Sequence, residues 1–507
     1  MAAWFLSGVV MLYVGYPKLT TEERLAGLPP LRAETCCVPL SRALAAAQAV
    51  ALPAQTASAA PARGAATRQW RLTSVAGEPR YVLAEGLRRL VAVDARSGEA
   101  IRAVSAADAL ASARHFAGGQ LAGEYLGRVD EDAWTHSRAL DAHRPLHLVA
   151  VQDEFSRWLY VSSRTGEVVR DATRTERTWG WLGAWLHWLY MFRGGPVDAW
   201  WTRIIIGLSI ACGVSVLTGL VVGVWRWRFR GTYKGGRRSP YSGFVARWHH
   251  ILGLVGGLLA FTWVLSGLLS VNPWKVFDAP GAKPDRAAYA GGPLVTDAAA
   301  GFPEAADAVG GLLALGLAPR EIEWRRVGGV MHAVALGPGG PWVVQADGVP
   351  AQSLPAARWR EAAARLLPGA RIVQAEHVTR FDRYYYAREP HTMTGQRERP
   401  LPVWRLRFDD ANETWITLDP RTGDIVAQSD RRRRVDRWLF AFLHSFDLPQ
   451  WLAARPAWDA WMLGFSLAGL GMSLTAVVAG WRRLRRKLRA NQPIPLAAAA
   501  SSARPQP

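Results

Sequence analysis

The sequence predicts an α-helical membrane protein with four transmembrane helices from an internal duplication, carrying two α+β domains outside the membrane. Apolar segments at 204–225, 251–271 and 461–481 are each about 20 residues or slightly longer, the length a bilayer crossing needs. Spacings recur in register: Gly166 to His187 and Gly423 to His444 are both 21 residues, and His187 to Thr218 and His444 to Thr475 are both 31. Basic residues follow the apolar segments, six from Arg226 to Arg238 and six from Arg482 to Arg489, as on cytoplasmic flanks.

Composition agrees. At 507 residues the chain exceeds one ordinary core. Its 25 Trp suit two membrane–water interfaces, where amphipathic indole collects. The net charge of +20 sits beside the spans, which argues against nucleic acid as a partner. Three cysteines exclude a disulfide framework. Cys36 and Cys37 are adjacent, poor geometry for a mutual bridge, and Cys212 is expected to pack as a small hydrophobe. The chain lacks C-x-x-C-H, a Walker A loop, G-x-G-x-x-G, G-x-S-x-G and H-E-x-x-H. Covalent haem attachment, nucleotide-driven transport and the common hydrolase mechanisms are therefore unsupported. No carboxylate lies within a span, which weakens a proton-coupled permease.

In chain order, residues 1–16 form the first transmembrane helix. Its 15 apolar residues are too few to span. A signal peptide would need a basic start and a small-x-small site, and neither is present. Residues 17–178 form the first outer α+β region. There Leu44–Ala66 reads as a helix and a linker, SAADALASARHFAG as a helix, and the sequences around Ser97-Gly98 and Thr165-Gly166 as antiparallel hairpins. An interfacial helix at 179–193 carries His187. Residues 200–228 span, 229–248 make a basic cytoplasmic loop, and 249–272 span back. The second outer region is 273–436, an interfacial helix at 437–448 carries His444, 458–481 span, and 482–507 form a basic cytoplasmic tail. The tail ends in Pro- and Ala-rich sequence expected to be disordered.

Further matches fix the repeat. Trp4-Phe5-Leu6-Ser7-Gly8 corresponds to Trp263-Val264-Leu265-Ser266-Gly267, and Arg144-Pro145-Leu146 to Arg399-Pro400-Leu401. Trp158 and Trp415 each lie eight residues before the glycine of RTGEVV and RTGDIV. Two spans per copy give both copies one orientation, related by a pseudo-twofold along the membrane normal. His249 lies 17 residues before Ser266, and the matching position before Ser7 falls upstream of Met1. The first helix is accordingly read as truncated.

A lone histidine near an interface is most often a polar tip facing headgroups. Two histidines related by a twofold can face one object on the axis, and imidazole pairs in helical bundles hold b-type haem. His187 and His444 are therefore the expected axial ligands, with Zn disfavoured because no Cys, Asp or Glu stands by to complete a tetrahedron. His249 or His250, His249 being favoured, would hold a second haem at the cytoplasmic end. Arg170, Arg174 and Arg177, and Arg431 to Arg434 with Arg437, precede the two histidine segments. They read as solvated linkers or, at Arg177 and Arg434, as partners for haem propionates or an anionic substrate. His115, His136, His143, His147, His332, His377 and His391 show no metal-ligand spacing and read as surface or hairpin residues.

WFLSGVVMLYVGYPKLT with TEERLAGL, the R-x-G-[ED]-[VI]-V strands, AWLHWLY, RWLFAFLHSF and RWHHILGLVGGLLAFTWVLSGLLSVNPW together resemble the PepSY-associated transmembrane family of bacterial inner-membrane proteins. The resemblance runs from Met1 to about Arg489. It implies two periplasmic PepSY-like domains, a place in the inner membrane, and both termini cytoplasmic once the first helix is complete. Members resemble iron-regulated proteins of siderophore uptake, some of them haem-containing reductases. That implies one or two haem b, a ferric siderophore as substrate, and electrons from a quinol or a cytoplasmic donor. The family typically begins with an H-R-W-x-G helix that this sequence lacks, which removes the partner His249 would need. The alternative is a membrane-anchored PepSY module that binds or regulates a periplasmic peptide or peptidase, without redox activity.

Overall fold

In the computed structural model, residues 1–32, 36–50, 68–85, 89–119, 121–281, 283–294, 302–393, 395 and 397–490 are described. The linker expected after Val50 and the Pro- and Ala-rich tail lie outside them.

The first copy starts with α1 (Ala2–Met11) and α2 (Thr21–Ala26). Next come α3 (Leu40–Val50), β1 (Arg68–Val75), β2 (Glu78–Glu85), β3 (Arg89–Asp94) and β4 (Ala100–Ile101). A second unit repeats the pattern with α4 (Ala106–Phe116), β5 (Gly123–Val129), β6 (Leu146–Val151), β7 (Trp158–Ser162) and β8 (Val168–Ala172). It is followed by α5 (Arg174–Trp179), the His187 segment and α6 (Trp201–Arg226).

The second copy runs through α7 (Phe244–Ser270) and α8 (Arg286–Ala290) to α9 (Ala305–Ala314) with β9 (Glu321–Val327), β10 (Val330–Leu336), β11 (Trp342–Val344) and β12 (Pro350–Ala351). Then α10 (Ala356–Ala363) precedes β13 (Ile372–Val378), β14 (Val403–Phe408), β15 (Trp415–Leu418) and β16 (Ile425–Ser429). The chain closes with α11 (Arg431–Asp436), α12 (Leu443–Ser445) at His444, α13 (Pro449–Ala453) and α14 (Ala457–Ala490).

Each outer region is thus two units, not one, and every unit is a helix followed by a four-stranded antiparallel meander. The helix predicted in SAADALASARHFAG is present as α4, and both predicted hairpins are present. Strands β6 and β14 begin 257 residues apart, the same offset as His187 and His444. Arg144-Pro145 therefore corresponds to Leu401-Pro402, which corrects the match to Arg399-Pro400.

The two outer regions are not separate either. Strands β1 and β9 pair antiparallel, joining the first unit of each copy into one eight-stranded sheet of order β12-β11-β10-β9-β1-β2-β3-β4. Arg71 faces Glu323 at the middle of that pair, where the pseudo-twofold passes. A buried ionic network crosses the seam: Glu321 of the second copy, fully buried, receives Arg24 at 2.5 and 2.8 Å and Arg71 at 3.1 Å from the first. Burial favours the neutral carboxyl of Glu321, but the two guanidiniums outweigh it and hold the group well below the usual carboxylate range. Sequence reading missed this seam because edge pairing leaves no local periodicity.

Among the described residues, three helices are long and apolar enough to cross a membrane: Asp198–Arg226, Phe244–Ser270 and Ala457–Arg489. Their outward faces expose aliphatic side chains such as Leu217, Val221 and Val255, as contact with lipid requires. The fourth apolar helix, α1, has ten residues. It packs against α14 as α7 packs against α6, the exchange a twofold demands. Phe5, Val216, Ala260 and Met472 meet at the centre, one from each helix. Gly469 permits this approach, since a Cβ there would stand 2.3 Å from the Phe5 ring.

Cys36 and Cys37 form a vicinal disulfide, against the expectation from their adjacency. Cys212 is free.

Candidate functional site

The outer ends of α1, α6, α7 and α14 and the two histidine segments enclose a cavity of about 690 Å³ beneath the outer domains, within the size range of ligand and cofactor sites. Its lining repeats across the twofold: Trp4 and Trp263, Gly8 and Gly267, Trp201 and Trp458, Ser209 and Ser466, His187 and His444.

Local backbone aims the histidines inward. Each follows a π-helical turn, Trp181–Trp185 in one copy and Arg437–Phe442 in the other, the kind of irregularity that re-aims side chains at functional sites. Two residues beyond each histidine the chain turns left-handed at a bulky residue, Leu189 (φ 54°) and Phe446 (φ 49°). That conformation costs on the order of 1–3 kcal/mol for a non-glycine residue. It recurs at equivalent positions, so the surrounding fold sustains it twice.

The imidazole centres stand 6.2 Å apart with planes at 74°. His187 Nδ1 lies 3.0 Å from Ser7 Oγ, and His444 Nδ1 lies 3.0 Å from Ser266 Oγ. Each hydroxyl donates its own hydrogen to the carbonyl three residues back, Trp4 at 3.1 Å and Trp263 at 3.0 Å. A hydroxyl so committed accepts from Nδ1–H. The tautomer this assigns to both rings leaves the Nε2 lone pair free, the form in which imidazole ligates metal. Trp4 Nε1 also donates to the His187 carbonyl at 3.0 Å.

Two imidazoles sharing one metal atom at about 2 Å per bond have ring centres about 6 Å apart. The observed separation meets that requirement. Among the described residues no group of three or more His, Cys, Asp and Glu could hold a metal ion. The repeated W-x-x-S-G was visible in the sequence as a match, but its role as orienter of the histidines was missed.

The remaining expected site residues fall elsewhere. His249 Nδ1 lies 3.1 Å from the Met472 carbonyl and 3.2 Å from Thr475 Oγ1 on α14. It sits 17 residues along α7 from Ser266, about 25 Å at helical rise. His250 corrects the expectation: Ser239 Oγ at 2.8 Å and the Gly223 carbonyl at 2.8 Å occupy its two nitrogens, so it ties α7 to α6 and to the following loop. Arg177 and Arg434 do not line the cavity. Arg177 lies over the Trp158 ring at 4.4 Å and donates to the Ala172 carbonyl. Arg434 lies over Trp415 at 4.2 Å and bonds Glu413. Both stay with their own sheets because an indole face and polar acceptors of the same unit lie within reach.

The cavity's arginines are instead Arg388 and Arg455, with Asp447 and Glu389. Arg388 lies 3.3 Å and Arg437 2.9 Å from the buried Asp447. The first copy presents Trp188, Tyr190 and Trp201 in the same region. Histidines read as surface residues include buried ones: His147 bonds Tyr125 at 3.0 Å and His332 the Thr422 carbonyl at 3.1 Å, while His136 bonds Glu131 at 2.6 Å. No protein-family model and no curated protein matches this chain.

Proposed function

We propose that this chain is a PepSY-associated haem-b protein of the bacterial inner membrane that reduces ferric chelates, ferric siderophores first among them, on the outer face. The supporting observation is the histidine pair: two equivalent rings, 6.2 Å apart across an apolar cavity, each oriented by an equivalent serine. In this reading α1 is the outer part of a fourth span, and the four meanders are the periplasmic PepSY-like domains.

A haem held there would supply a one-electron couple. His187 and His444 would hold it through their Nε2 atoms, and Ser7 and Ser266 would fix ring orientation and basicity. The Trp, Phe and Val side chains exclude water. Arg388 and Arg455 take the part first assigned to Arg177 and Arg434, offering positive charge to propionates or an anionic chelate. His249, at the other end of α7, marks where electrons from a quinol or a cytoplasmic donor would arrive. Reduction delivers one electron to Fe³⁺, and Fe²⁺ leaves hard-oxygen ligands more readily because it carries less charge.

The visible spectrum of the detergent-purified protein tests this. A Soret band that shifts on dithionite reduction is expected. A colourless preparation from haem-replete cells overturns the reading and leaves the peptide-binding alternative.

A further inference from the structure

The connection between β13 and β14 in the second copy, residues 379–402, is eight residues longer than its counterpart 130–145 between β5 and β6. The extra length crosses the cavity mouth and reaches the first copy. Arg388, Glu389, Thr392 and Met393 line the cavity from above, and Arg388 Nη1 lies 3.2 Å from Ser445 Oγ beside His444.

Its tip is fastened on the far side. His391 Nε2 lies 2.8 Å from Glu23 Oε1, and its Nδ1 lies 3.5 Å from Glu176 Oε1. Both carboxylates are held in advance: Glu23 closes a capping box with Thr20 on α2, and Glu176 closes one with Thr173 on α5, each through Oε2. The two helix N-termini thus present their second oxygens to one imidazole. Lys18 Nζ donates to the Thr392 carbonyl at 2.5 Å. Gly15 lies so close that a Cβ there would stand 2.0 Å from the His391 carbonyl oxygen.

We propose that residues 387–393 are a strap that gates the cavity, fastened by the His391 ion pairs to Glu23 and Glu176. Released, the strap swings on its own long connection and uncovers the His444 side of the cavity. Fastened, it closes that side over whatever the cavity holds. This does not depend on the identity of the occupant, so failure of the haem reading leaves it standing.

The test uses the full chain in detergent with Cys212→Ser. Spin labels at Glu22→Cys and Pro390→Cys report the strap position, and alkylation of Ser445→Cys by a water-soluble maleimide, in a separate variant, reports access beneath it. A single short distance is expected in the parent. His391→Gln and Gly15→Val should each broaden and lengthen it and raise the alkylation rate about tenfold, whereas His391→Lys, which keeps the charge, should stay near the parent in both. Unchanged distances in His391→Gln and Gly15→Val overturn the fastening. A longer distance without faster alkylation overturns the gate.

Discussion

The two copies agree at the membrane and diverge at the mouth. Ser7 and Ser266, His187 and His444, and Trp201 and Trp458 coincide across the twofold. One turn further out, Trp188 becomes Ser445, Tyr190 becomes Asp447, and Asp198 becomes Arg455. The first copy supplies an aromatic wall, and the second supplies a charged one with a strap. Duplication has preserved what holds an object on the axis and freed the surroundings to become asymmetric, as a site must be when its occupant has unlike sides.

The symmetric part can be broken first. His187→Ala and His444→Ala should each abolish the haem spectrum, because a ring pair that shares one metal fails from either side. A spectrum untouched by both substitutions would falsify the ligand assignment. Next in size is the seam. Glu321→Gln leaves Arg24 without its carboxylate and Arg71 with Glu167 alone, and losing one partner of a buried ionic cluster costs on the order of 3–5 kcal/mol. A lowered thermal midpoint is expected, with both outer regions melting together. Because the folded state depresses this carboxyl, its contribution is present above the ordinary value of 4.5 and fades as pH falls below it.

A finer comparison sets Ser7→Ala against Ser266→Ala. Removing a hydrogen-bond partner of a metal-bound histidine typically costs about 10–100-fold in affinity. Haem titration should show the smaller loss for Ser7→Ala, since Trp4 still holds the His187 carbonyl whereas the Trp263 indole nitrogen has no partner. Equal losses would remove that asymmetry.

The smallest effect is in pH. Hydrogen bonds to Glu176 and Glu23 raise His391 to about 10. At Glu23, burial pushes the carboxyl up, but bonds from His391 and Thr20 prevail and hold it at about 2. The His391 contribution is complete below its ordinary 6.5 and is lost as pH rises through about 10. Glu23, Glu176 and the buried Asp171 act on this group, and Lys18 holds the neighbouring Thr392 carbonyl. The strap distance should therefore lengthen between neutral and alkaline pH; constancy up to pH 10 would count against the ion pair.

Much of the axis was legible because equal spacing survives in sequence whatever the fold does. His187, His444 and both W-x-x-S-G motifs were visible for that reason. Arg388 and Arg455 were not, because Arg388 enters the cavity through a loop longer than its counterpart and the position of Arg455 carries Asp198 in the first copy. Arg177 and Arg434 misled because proximity in sequence to a histidine says nothing about a nearer Trp158 or Trp415 face. His249 was favoured over His250 from the sequence, and the neighbours of His250 on α6 and the basic loop account for both of its nitrogens. The division of each outer region into two meanders also escaped, since short strands without strong alternation read as one small sheet.

The β1–β9 pairing carries an implication about ancestry. Edge-to-edge antiparallel pairing across a twofold is the isologous contact by which two identical half-length chains would form a homodimer. In such a dimer the residue on the axis meets its own copy, and a charged side chain there would oppose its like. Fusion into one chain removes that restriction, and the axis now sets Arg71 against Glu323, a pairing available only to a protein whose halves are free to differ.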